Sequence, residues 1–226
     1  MHRPSVPEDL DHPERLWARA ATLAVVAAAV PDMDEFARTG QGLVCWNGGG
    51  SYWWRLELSG DGRALLCGQD ADGSHTHWGG RRLDFLSGGP DWLPRERLRE
   101  DAEGGLLGFV YWWQDGVWSR APYPGQLPDD GLATAVSWAA AGDTAVAEIV
   151  QDLVARRETD ADPLAAVHGF LAAAEARTVG AAEIAELLDA VCDRDSWYDV
   201  RPAAALAFAT ELGLTTGDRG GLRVAS

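Results

Sequence analysis

The order of apolar and polar positions divides the chain into three stretches of different period. From Pro13 to Val30, Leu16, Ala20, Leu23 and Ala27 recur at helical spacing, and Pro31 ends the run. A short second helix is expected over residues 34–38. Beyond it the period changes to two. In "SYWWRLELSGDGRALLCG" the residues Tyr52, Trp54, Leu56 and Leu58 alternate with Trp53, Arg55, Glu57 and Ser59, the mark of a half-buried antiparallel strand. The turn "NGGG" joins it to "GLVCW" before it, and "GDG" joins it to "RALLCG" after it, so three strands form a meander. A second hairpin runs through "GLLGFVYWW", turns at Asp115-Gly116 and returns as "VWSR". Between the two, Leu93 to Asp101 reads as a short helix.

After about residue 130 the helical period returns and persists. Asp143 and Asp162 stand where N-caps belong, the second with Pro163 at the first helical position. Val146, Ile149, Val150, Leu153 and Val154 form one apolar stripe, Ile184, Leu187, Leu188 and Val191 a second, and Ala205, Leu206, Ala209 and Leu212 a third. These patterns predict an α+β fold: an antiparallel sheet of about five strands over residues 42–120, flanked by an N-terminal helix and a C-terminal helical bundle. Residues 1–12, with two prolines and several acids, read as a flexible arm. Residues 13–125 read as a helix-plus-sheet domain and 126–226 as a helical region packed on it, with "PYPGQLPDDG" as the boundary.

Within the last stretch, "LLDAVCDRDSWYDVRPAAALAFATELGL", residues 187–214, resembles a single HEAT-type helical repeat: Trp197 in the turn, then Val200-Arg201, then Ala204, Ala205 and Ala209 with Phe208 and Leu212. The preceding segment does not repeat the pattern, and Pro202 departs from it, so the expectation is one helical hairpin rather than a solenoid.

Charge narrows the partners. The chain carries a formal charge of -16, and its basic residues are all arginine. Nucleic acid and anionic membrane both require a basic stripe, so neither is expected, and a protein partner should be basic. Cys45, Cys67 and Cys192 are odd in number and set among apolar residues, which suits free thiols in the cytoplasm. The apolar run 20–30 follows Arg15 and Arg19 and carries small residues at Ala27 and Ala29, as a secretion signal would, but acids at positions 8, 9, 11 and 14 remove the positive lead-in, so a core helix is expected instead.

Two groups of residues could carry chemistry. "GQDADGSHTHWGG" brings Asp70, Asp72, His75 and His77 within eight positions. On a strand His75 and His77 would share a face, a geometry used by zinc and iron sites, but no third ligand stands nearby in sequence. A hairpin turn at "DADG" is therefore the expected structure, and no cofactor is expected. The second group is the tryptophans, 11 in all. Adjacent pairs on a strand must face opposite sides, which makes Trp53, Trp112 and Trp118 candidates for an interaction surface, where Trp is enriched. The sequence thus points to a non-enzymatic, acidic interaction protein, most concretely a toxin-neutralising immunity protein. The alternative is a metal-dependent hydrolase or small-ligand binder built on Asp70, Asp72, His75 and His77.

Overall fold

The computed structural model describes residues 1–31, 33–40, 42–142, 144–154, 162–192 and 199–216. They form two compact units. The first joins Met1–Pro13 to Thr39–Ala141, and the second joins Glu14–Arg38 to the described residues from Gly142 onward. The fold is α+β, with an antiparallel sheet and an N-terminal helix, α1 (Pro13–Ala29).

The sheet has six strands rather than five: β1 (Phe36–Thr39), β2 (Gly42–Trp46), β3 (Tyr52–Leu58), β4 (Ala64–Asp70), β7 (Phe109–Gln114) and β8 (Val117–Arg120), in that spatial order. The extra strand is β1, where a short helix was expected. Four residues with Phe36 at one end extend beside β2 instead, because pairing with an existing strand satisfies their backbone groups. The meander β2-β3-β4 forms as the alternation predicts, with Cys45 opposite Trp54 and Leu56 opposite Leu66. In the β7-β8 turn Asp115 and Gly116 both take positive φ, 54° and 84°, the primed geometry that matches strand twist.

Both faces of this sheet are covered. On one, Trp54, Leu66, Phe109 and Tyr111 are buried, and Trp138 packs edge-on against Trp54. On the other, Leu65, Cys67, Val110 and Trp112 pack against Phe85, Leu86, Leu93, Leu98 and Leu107. These last five come from the long excursion between β4 and β7, which holds the small hairpin β5 (His77–Trp78) and β6 (Arg81–Arg82) and the helix α2 (Arg95–Glu103). Residues 1–12, expected as a loose arm, are packed: Ser5 and Leu10 are buried, and Asp11 N–H donates to the Ala139 carbonyl at 3.1 Å.

The first unit also holds the short helix α3 (Leu132–Ala135), and in the second unit α4 (Thr144–Val154), α5 (Pro163–Ala176), α6 (Ala181–Val191) and α7 (Pro202–Glu211) pack in sequence order. Asp162 caps α5 as its position predicts, its Oδ1 accepting from the Leu164 and Ala165 amides. Asp143 and Trp197 lie outside the described residues. Helix α1 belongs to this unit rather than to the sheet. Its Trp17 Nε1 donates to the Leu212 carbonyl at 3.3 Å, and its Ala29 carbonyl accepts from the Arg201 amide at 2.8 Å. The apolar run 20–30 is the buried body of this helix.

Candidate interaction surface

Of the three tryptophans singled out by position, two are covered. Trp112 is 7% exposed because the 83–107 excursion lies over its face of the sheet. Trp118 is 6% exposed because the N-terminal segment lies over the other, with Trp118 Nε1 donating to the Asp11 carbonyl at 2.7 Å. Trp53 is half-buried. The exposed tryptophan among the described residues is Trp46, at 47%, and it stands directly opposite Trp53 across the β2-β3 ladder.

Beside this pair stands a further exposed apolar residue, Leu106. The Trp53 indole N–H donates to the Leu106 carbonyl at 2.9 Å, and the Leu106 side chain is itself 48% exposed. Gln69, opposite Trp53 on β4, donates to the Gly105 carbonyl at 2.7 Å, so the 104–106 loop is held to the strand at two points. The Arg55 guanidinium lies 5.5 Å from the Trp53 ring centroid. Behind the ring Arg55 also approaches Asp101, at 3.7 Å, and Glu57 pairs with Arg97 at 2.8 Å. These four charges stand over Cys67, whose burial pushes the thiol up to about 12. Trp46 and Leu106 escaped the sequence reading because the strand alternation gave each face equal weight. The cross-strand register that seats Trp46 beside Trp53 depends on the length of the "NGGG" turn.

The Asp70, Asp72, His75 and His77 group does not assemble. Asp70 ends β4, and of the two histidines only His77 lies on a strand, in β5, so the shared face that a His-x-His strand would give is absent. The chain does turn at residues 70–74, where the Asp70 carbonyl accepts the Ser74 amide at 2.9 Å, but it does not return along β4, whose neighbour is β7. Asp70 is buried and braces the turn, accepting from the Asp72 amide on Oδ1, while His75 Nδ1 contacts the Gly73 carbonyl and His77 Nδ1 the Thr76 hydroxyl. Among the described residues no three His, Cys, Asp or Glu side chains are grouped to hold a metal ion.

Sequence reasoning also missed a buried polar cluster. Asp130 is fully buried, and its Oδ2 accepts from the Tyr111 and Tyr123 hydroxyls at 2.7 and 3.1 Å. Its Oδ1 accepts from the Leu132 and Ser5 amides at 3.2 and 3.4 Å. Burial raises the Asp130 carboxyl above the usual range, against the pull of these four donors. Burial likewise raises both phenols, with the neighbouring acidic groups adding to the effect. The Arg120 guanidinium stacks 3.7 Å from the Tyr123 ring centroid. Ser5 and Asp130 are 125 residues apart, so no local pattern announces the cluster.

Compared with protein-family models, curated proteins and solved structures, the chain matches none. Among the described residues no helix is long and apolar enough to cross a membrane.

Proposed function

We propose that the protein is a non-enzymatic interaction protein of the cytoplasm that binds a basic protein, and that a toxin-neutralising immunity protein is its most concrete form. One observation carries the reading: on a sheet otherwise covered on both faces, Trp46 stays exposed beside Trp53 and Leu106, in a chain of formal charge -16. Aromatic anchors supply the slow dissociation of a tight complex, and an acidic field speeds the approach of a basic partner. The cysteines support a reducing compartment, since Cys45, Cys67 and Cys192 are odd in number, far apart in the chain and all buried.

The test is kinetic. A protein captured from the native lysate is purified and its association measured against the wild type and Trp46→Ala over a range of salt. The expected outcome is an on-rate that falls with salt and an off-rate that rises in the variant. A partner whose binding ignores both salt and Trp46 overturns the reading, as does a thermal shift obtained with small molecules alone.

A further inference from the structure

The N-terminal segment contains a single 3-10 turn at Pro7–Asp9, yet Ser5 within it is completely buried. Ser5 is held through its backbone alone. The amide donates to Asp130 Oδ1, the carbonyl accepts from Arg120 Nε at 3.2 Å, and the carbonyl oxygen lies 2.9 Å from the Tyr111 hydroxyl, whose single proton it shares with Asp130 Oδ2. The side-chain hydroxyl, by contrast, is buried with no hydrogen-bond partner. Two residues earlier Arg3 Nε stands 3.8 Å from Asp129 Oδ2, with its side chain 68% exposed.

A seat that reads one residue by its N–H and C=O, and leaves the side chain unread, is how proteins bind segments of other chains. Without a residue there, Asp130 Oδ1 would keep only the Leu132 amide, and Arg120 would keep only the Ala121 carbonyl. With Ser5 there, one buried hydroxyl goes unpaired, so this residue is a worse occupant than alanine would be. We propose that Tyr111, Arg120, Tyr123, Asp129 and Asp130 form a peptide-recognition site filled in cis by Arg3, Pro4 and Ser5. A segment of the partner, carrying an arginine two residues before a small side chain, takes the strap's place. This rests on the reading of a basic protein partner and names the segment it offers.

The experiment uses the full chain and fluorescent peptides copying residues 1–11. Ser5→Trp cannot seat its own strap, so it should bind the peptide saturably while the wild type, already filled, binds at least about tenfold more weakly. Replacing Ser5 by alanine in the peptide should tighten binding about tenfold, and replacing Arg3 by alanine should weaken it. If Ser5→Trp fails to fold, Arg3→Glu on the exposed flank sets a carboxylate against Asp129 and loosens the strap instead. A folded strap variant that binds no peptide, or binds irrespective of the peptide's arginine, overturns the proposal. Loss of peptide binding with the Trp46 effect on the partner intact would refute this site alone. Peptide binding without any basic partner would leave the site and refute the broader reading.

Discussion

The rings of Trp54 and Trp138 meet edge to face, with centroids 5.1 Å apart and planes inclined at 66°, and neither is more than 2% exposed. An edge-to-face pair places the positive rim of one ring against the negative face of the other, so it adds to the stabilisation that burial already gives. Trp138→Ala should therefore cost about 3–5 kcal/mol of unfolding free energy in denaturant titration. A cost within the range of surface substitutions would show that the pair does not anchor this face of the sheet.

The covered and uncovered tryptophans should separate cleanly. Trp112→Ala and Trp118→Ala should each destabilise by about 3 kcal/mol or more, since each leaves a cavity. Trp46→Ala should change stability by no more than about 0.5 kcal/mol while costing about 2 kcal/mol in partner binding. Paired unfolding and binding measurements on the three variants decide it.

Gly68 sits between Trp54 on β3 and Phe109 on β7. A Cβ there would lie 2.3 Å from the Trp53 carbonyl oxygen and 2.8 Å from Phe109 Cζ, so Gly68→Ala forces strand backbone apart. A loss above about 2 kcal/mol is expected, whereas Gly125→Ala, which meets nothing within 4 Å, should be tolerated. Equal melting temperatures for the two variants would contradict the packing.

The polar cluster sets a pH dependence. Both phenols are raised in the folded state, so their contribution is complete below the ordinary tyrosine value of 10.0 and lost as pH climbs above it. Tyr111→Phe should make that alkaline loss shallower. Asp130 is also raised, so its contribution is present at low pH and declines as pH rises through its folded value. The wild type should consequently gain stability relative to Asp130→Asn as pH falls from neutrality, and urea titrations across the pH range would show no such gain if the carboxyl were unshifted and the opposite slope if it were lowered.

Asp70, Asp72, His75 and His77 act in and beside a turn, so purified protein should carry no stoichiometric transition metal. Chelators should leave the melting temperature of His75→Ala/His77→Ala unchanged. Elemental analysis returning about one zinc or iron per chain would reinstate the hydrolase alternative.

What the sequence disclosed is what neighbours in the chain decide. The helical run ending at Pro31, the β2-β3-β4 alternation, the Asp115-Gly116 turn and the Asp162-Pro163 cap are all local, and all form. Three features were hidden because their partners are remote or aperiodic. Phe36–Thr39 becomes a strand through pairing with β2. Trp112 and Trp118 are buried by segments that carry no period of their own, and Asp130 is satisfied by residues from opposite ends of its unit. The "WGG" of the tetrad region was the readable clue that a separate hairpin begins there, since Gly79 and Gly80 both take positive φ.

Helix α1 finds its hydrogen-bonding partners at Arg201 and Leu212, although it is followed in the chain by the entire sheet. On a ribosome adding about 5–20 residues per second, its apolar body must therefore wait on the order of ten seconds before those partners exist. During that interval an alanine- and valine-rich segment is in the open beside half-made strands. Co-expression with a nascent-chain chaperone that shields residues 16–30 should therefore raise the yield of folded protein, and an unchanged yield would show that the wait carries no cost.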